Sequence, residues 1–324
     1  MFNFIIDCTD SSLEEYLKID VREGVSVFTK GDLNWCLQTY LILSKQNNLP
    51  IKCSNKFCDQ SINIIHSDQL LNIKGSPSQF VVCVRADYPK RRWAHYQIVQ
   101  NKKQLESYTS YIPHWVQPGL IKRDENRQGV KRVAYAGETF NGNLAGSVET
   151  WKEIFRPYNI EFINLAPGSW HNLREVDVLI GLRGFNTNTY DTKPPTKLFS
   201  AWHANIPFVG GYDSAFTQVG TPGKDYLLAG TPEEAINAVL KLRDRPDIYS
   251  ELIENSKQRI KEYNEATIAE QWQQVLSGPI LQRYELWKSR PEYECNRFNF
   301  NQAIGLSEHK LKQVIKKIIK RFKA

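Results

Sequence analysis

Short runs of apolar residues with little polar interruption recur along this chain, and stretches with apolar side chains at steps of three and four lie between them. Ile62 to Ile65, Phe80 to Val84 and Val176 to Leu182 are runs of this kind. A strand wetted on one face alternates apolar and polar residues, whereas a run apolar throughout needs cover on both faces, as strands of a parallel sheet have. Repeated strand–helix alternation then implies α/β layering. In the first half the predicted strands are Val25 to Phe28, Ile51 to Cys53, Ile62 to Ile65, Phe80 to Val84 and Tyr96 to Val99. Leu33, Cys36, Leu37, Tyr40 and Leu41 recur at helical spacing after Gly31-Asp32. The first residues, Met1 to Asp7, read as an edge strand, being too short and too soon acidic for a signal peptide.

Ile112-Pro-His-Trp-Val-Gln-Pro-Gly119 and the polar run from Lys122 to Gln128 have linker composition. A second series follows, at Arg132 to Ala136, Ile160 to Asn164, Val176 to Leu182, Pro207 to Gly210 and Tyr226 to Leu228. The expected organisation is two Rossmann-like domains in tandem, 1–124 and 125–276. A helical segment, 277–304, then crosses back to the first domain, and 305–324 forms a basic amphipathic tail helix. The helical pattern is expected to break at Ser277-Gly278-Pro279.

Charge is concentrated at one end. Seven Lys and Arg against one Glu between Ser307 and Ala324 give that segment +6 of the chain's net +7. A basic tail on a near-neutral body excludes a general nucleic-acid surface. Leu311, Val314, Ile315, Ile318, Ile319 and Phe322 form one stripe, with Lys312, Lys316, Lys317, Lys320 and Arg321 on the other faces. Such a helix suits an anionic membrane surface; the alternative is a helix packed on the body. No run approaches the roughly 18 apolar residues of a spanning helix, so the expected location is the cytoplasm, with the tail peripheral on the inner membrane face. The six cysteines lack zinc-finger spacing and read as reduced thiols, and no cofactor or metal is expected.

Lys193-Pro-Pro-Thr-Lys197 opens a predicted helix. Proline suits a first turn, and a Lys there opposes the helix dipole unless an anion is bound. Arg183 ends a buried strand, as a phosphate ligand or as an ion-pair partner. Gly137 permits close backbone approach, and Gly210 to Phe216 offers a polar loop for sugar hydroxyls or a tight capping turn.

These pieces stand in an order that resembles the donor-binding half of GT-B glycosyltransferases: a strand ending in Arg183, the K-P-P-T-K-L helix running into A-N-I-P, then a strand and G-G-Y-D-S-A-F. The likeness covers roughly residues 110 to 275, and P-H-W-V-Q-P-G-L followed by V-A-Y-A-G resembles the family's interdomain crossing. It implies a nucleotide-sugar donor whose diphosphate is held by Arg183, Thr196 and Lys197, in a site that on the present reading also takes in Gly137, Glu138 and Lys193. It also implies a sugar near Tyr212, Asp213, Ser214 and Ala215. The E-x-x-x-x-x-x-E run of many retaining relatives is missing, which leaves the stereochemistry open.

No Asp-x-Asp, G-x-G-x-x-G after a strand, or G-x-x-x-x-G-K-[ST] occurs, which disfavours metal-dependent single-domain transferases, dinucleotide sites and P-loops. An inverting enzyme needs a base at the cleft, and the candidates are Asp32, His66 and Asp87. Arg85, Arg91, Arg92 and His95 offer either an anionic-acceptor patch or a solvated loop, whereas His114, His171 and His203 read as structural. The reading is a metal-independent glycosyltransferase acting on a glycan or lipid-linked acceptor. Its rivals are a nucleotide-sugar epimerase of the same fold and a non-catalytic membrane-associated scaffold.

Overall fold

The computed structural model describes residues 1–28, 30–46, 48–140 and 142–322; the side chains of Lys316, Ile319, Lys320, Arg321 and Phe322 lie outside that description. Six parallel strands form the first sheet: β1 (Phe2–Ile5), β2 (Ile51–Ser54), β3 (Ile62–His66), β4 (Phe80–Val84), β5 (Tyr96–Val99) and β6 (Thr109–Tyr111), in the order β2-β1-β3-β4-β5-β6. Helices α1 (Asp10–Tyr16), α2 (Gln38–Ser44, preceded by a π-helical turn at Leu33–Leu37) and α3 (Gln69–Asn72) connect them. The strand order reverses between β1 and β3, which makes their carboxyl ends the switch point of this sheet.

Two expectations are corrected here. The opening residues form an internal strand, β1, paired on both sides, with Phe2, Phe4 and Ile5 buried. Asn3 is tolerated inside because its amide donates to Asn63 Oδ1 and the Lys56 carbonyl while Ser54 donates to it. Val25 to Phe28 is a series of turns closed by Gly24 N to Asp20 O and Val27 N to Gly24 O. Its apolar residues serve packing instead, Phe28 entering the first core.

The second sheet is also all-parallel: β7 (Arg132–Ala136), β8 (Glu161–Leu165), β9 (Val178–Gly181), β10 (Phe208–Gly210) and β11 (Leu227–Leu228), in the order β11-β10-β9-β7-β8. Its switch point lies between β7 and β9. Around it lie α4 (Val148–Phe155), α5 (Thr196–His203), α6 (Ser214–Val219), α7 (Pro232–Asp244) and α8 (Pro246–Glu262). Separate apolar cores fill the two faces, one around Trp151, Phe155 and Phe162 and the other around Trp202, Phe208 and Phe216.

The chain returns to the first domain at Tyr263–Asn264, earlier than the expected 276/277 boundary. Asn264 caps α9 (Glu265–Val275), whose Ile268, Ala269 and Trp272 already belong to the first core, Trp272 lying edge-on to Phe4. A π-helical kink at Gly278–Pro279 follows, and then α10 (Leu281–Lys288). A single helix, α11 (Pro291–Phe322), follows without a break at 304/305.

Asp177, fully buried at the start of β9, ties the linker to the second sheet. Arg123, Arg127 and the amides of Lys131 and Arg132 all donate to its carboxylate at 2.8–2.9 Å. Burial pushes the Asp177 carboxyl up, but these donors outweigh it and hold it below the ordinary value. Asp177→Asn leaves two guanidinium groups without their counter-ion and is expected to cost about 3 kcal/mol, read as a lower midpoint in urea. The carboxylate is held low, so its contribution is complete above the unfolded pKa of about 3.9 and fades as pH falls below it. The loss in the variant should therefore shrink in acid.

Candidate functional site

The carboxyl ends of both sheets border one cleft of about 270 Å³. On the second domain, β7 leads into Gly137 and β9 into Arg183, so these two residues flank the switch point. Thr196 and Lys197 are the first residues of α5, whose N-cap is Pro195. No side chain caps this end, which leaves its first amides and the positive end of its dipole open toward the cleft. Gly137, Glu138, Arg183, Lys193, Thr196 and Lys197 all line the same space.

The three cations differ in their surroundings. Arg183 Nε donates to Asp213 Oδ1 at 2.7 Å and Nη1 to Asn143 Oδ1 at 3.3 Å. Lys193 Nζ reaches across the cleft to Asp87 Oδ2 at 2.7 Å. Lys197 has no carboxylate within ion-pair distance among the described residues, and its ammonium lies 4.8 Å from the centre of the Tyr135 ring. Burial, then repulsion from Arg183, lowers its pKa to about 7, with Asp213 opposing. A Cβ on Gly137 would stand 3.1 Å from Lys197 Nζ and 3.2 Å from the Tyr135 ring, so glycine is what lets that ammonium sit against the strand end.

Not every expected residue faces this cleft. Asp213 is fully buried behind Arg183, its carboxyl pushed up by burial against the pull of Arg183. It holds a cation in place and does not line the cleft. Ser214 accepts from Asn101 Nδ2 at 2.9 Å in an interdomain clip, in which Asn101 also donates to the Lys193 carbonyl and accepts from Gln218. Ala215 is buried in α6, and Tyr212 packs over Gly230, where a Cβ would lie 2.7 Å from its ring.

On the first domain only Asp87 lines the cleft among the three proposed bases. Asp32 is buried and accepts from the Asp7 amide at 3.0 Å. His66 lies beneath Gly31, where a Cβ would come within 2.3 Å of the ring, and contacts Gln69 Oε1 at 2.8 Å. Burial lowers its pKa. The basic residues nearby are dispersed: Arg91 donates to the Ser67 carbonyl, Arg92 pairs with Glu308, and His95 stacks between Phe80 and Phe298.

Sequence reasoning overlooked Trp35, Gln117, Asn143, Trp170 and Ser200, which also line the cleft, as does His114, read there as structural. Ser200 was legible, one turn beyond Thr196 on the same helix face. Trp35 and His114 come from distant segments and meet only in three dimensions, their rings 4.3 Å apart and edge-on.

Three solved structures share this architecture. HepE of Anabaena, solved with UDP and glucose, matches with a TM-score of 0.52 at 11% identity, covering 85% of this chain and 99% of HepE. A variant of TarM from S. aureus, in complex with fondaparinux, alpha-GlcNAc-glycerol and UDP, gives 0.51 at 11% identity and 74% coverage; this chain spans 59% of it. AviGT4, a glycosyltransferase involved in avilamycin A biosynthesis, gives 0.50 at 13% identity, covering 76% of this chain and 90% of AviGT4. No protein-family model matches the sequence, and neither does any curated protein. Identities this low establish the fold, and the fold is GT-B: two Rossmann-like α/β domains in tandem, followed by helices.

An anion at this site draws on a lysine that is only partly charged above neutral pH. Affinity for a nucleoside diphosphate is therefore expected to weaken as pH rises above about 7, by up to roughly tenfold per pH unit, until the pKa of Lys197 in the complex is reached. Lys197→Arg, which stays charged, should give a flat profile when the two are titrated calorimetrically at matched pH values.

Proposed function

We propose that the protein is a glycosyltransferase that moves a sugar from a nucleoside-diphosphate donor to a glycan or lipid-linked acceptor without a metal ion. The observation that carries this reading is the convergence of Arg183, Lys193, Lys197 and the open N-terminus of α5 at the switch point of the second sheet. Open parallel sheets bind ligands at that point, and an uncapped helix end with three cations suits a diphosphate. As the bond between the anomeric carbon and the diphosphate breaks, charge grows on the leaving oxygen. Cations already held in place stabilise it with little reorganisation. Lys197 gains most, because a dianion beside it favours its protonated form. The acceptor approaches from the first domain, whose strand ends form the facing wall; its hydroxyl oxygen bonds to the anomeric carbon as the diphosphate leaves, and its proton passes to a base at the cleft, for which Asp87 is the candidate that lines it.

HepE and TarM were solved with UDP, which makes uridine the first base to try. Uridine, guanosine and thymidine diphosphates are to be screened by thermal shift, with one of them expected to stabilise the protein. Arg183→Met and Lys197→Met should each weaken that ligand by about 1.5–3 kcal/mol, roughly ten- to hundredfold. No shift with any diphosphate would defeat the proposal. Conversion of the donor without any acceptor would favour an epimerase instead.

The acceptor's setting forms part of the same reading. Phe298 and Leu306 of α11 join the core beneath β4, Gly305 lies against Trp93, and Glu308 pairs with Arg92. Leu311, Val314, Ile315 and Ile318 beyond them are exposed, and Lys310, Lys312 and Lys317 accompany them. Among the described residues no helix is long and apolar enough to cross a membrane. An exposed apolar stripe among cations fits an anionic bilayer, at about 1 kcal/mol per cation near the surface. The full chain should sediment with vesicles containing phosphatidylglycerol and remain free of pure phosphatidylcholine. A Lys312→Glu/Lys317→Glu variant should lose most of that binding; unchanged sedimentation would sink this part of the proposal.

A further inference from the structure

His114 lies on the segment between the two sheets and lines the cleft although it is only 9% exposed. Its Nδ1 faces the carbonyl oxygen of Trp115 at 2.5 Å. A carbonyl only accepts, so Nδ1 carries the proton and Nε2 holds a lone pair when the ring is neutral. Burial keeps it neutral, with a pKa lowered to about 4 despite the Trp115 carbonyl. The ring is also fixed in orientation. Trp35 crosses it edge-on at 4.3 Å, Trp115 Nε1 donates to Thr39 Oγ1 at 2.8 Å, and Gln38 Nε2 donates to the Val116 carbonyl at 3.1 Å. Three consecutive residues, 114 to 116, are therefore pinned to the helical stretch that carries Trp35, Gln38 and Thr39.

Nε2 has no hydrogen-bond partner among the described residues. A fixed, neutral ring with its lone pair uncommitted is an obligate acceptor: it binds a hydroxyl or an N–H and repels a carboxylate. It shares one small cleft with Lys197, Arg183 and the α5 terminus. In a nucleoside-diphosphate sugar the group bonded to the terminal phosphate is the glycosyl unit, so that unit is what lies beyond the phosphate cradle.

We infer that His114 is a specificity-determining residue of the proposed transferase, accepting through Nε2 a hydrogen bond from a hydroxyl of the donor's sugar. This rests on the transferase reading of the cleft. The residue contributes to sugar recognition and leaves the diphosphate untouched, and Trp35 acts as a positioning residue that holds its plane.

The test compares UDP, GDP and dTDP with their glucose conjugates by calorimetry on the full chain. For the base that binds, the glucose conjugate is expected to bind about tenfold tighter than the diphosphate. His114→Asn places an amide donor where Nδ1–H was and leaves nothing at Nε2, so it should erase that gain while diphosphate affinity stays within twofold. His114→Gln sets an amide oxygen near Nε2 and should restore part of the gain. Deoxyglucose conjugates complete a cycle: removing the hydroxyl that is read should cost the native protein what His114→Asn costs, and cost the variant nothing further. If no diphosphate binds, the transferase reading falls and this inference with it. If the diphosphate binds but its glucose conjugate gains nothing, or the gain survives in His114→Asn, the inference alone falls. A fall in diphosphate affinity matching the fall for the conjugate, with no rescue by Gln, would mark His114 as structural and overturn it.

Discussion

A carboxylate sealed from water persists only where donors surround it, and Asp177 obtains five hydrogen bonds from the chain that enters the second domain. The consequence is topological as much as energetic. Residues 120 to 132 are bound to the second sheet at Asp177 and by backbone bonds from Ile121, Arg123 and Asp124 to His171, Ala204 and Arg174. The polar run that reads as a loose linker is therefore part of the second domain. The crossing shrinks to residues 117 to 119, since Ile112 and residues 114 to 116 are held to the first domain. Tyr249 of α8 donates to the Asp177 carbonyl, so the helix that leads the chain back is anchored at the same strand.

From that anchor the site follows by geometry. Parallel strands put their carboxyl ends together, and the β7–β9 reversal leaves a gap between neighbouring loops. Gly137 and Arg183 border the gap, and α5 points its uncapped end into it. Arg183 needs Asp213 behind it to keep a buried guanidinium in place. Lys197 has Tyr135 where a carboxylate would otherwise stand, so it remains the cation most responsive to an incoming anion.

The sequence made legible what depends on local chemistry. Continuous apolar runs identified β3, β4, β7 and β9, because only a sheet covered on both faces buries them. Lys193 to Lys197 revealed the open helix end through the conflict between a lysine and the dipole. What failed depended on partners distant in sequence. Nothing in Phe2–Ile5 says that it lies between β2 and β3; that requires knowing where residues 51 and 62 return. Val25 to Phe28 has strand-like composition, but Gly24 and Asp20 close turns around it. For Asp213, a polar loop after a strand offers a sugar contact or a capping turn, and does not disclose that Arg183, thirty residues away, claims its carboxylate. The tautomer of His114, read from sequence as structural, is set by a carbonyl that only the folded backbone presents.

The contact between Lys193 and Asp87, 2.7 Å apart, is the one ion pair among the described residues that joins the two walls of the cleft. An anion that takes Lys193 for itself leaves Asp87 without its partner, so the facing wall gains a bare negative charge without any residue moving far. Thermodynamic linkage makes the effect reciprocal: whatever compensates Asp87 from the first domain also releases Lys193 toward the anion. Occupancy of one half of the molecule would in this way be recorded as electrostatic potential in the other. Two ligands that never touch the same residue would thus respond to each other across the gap.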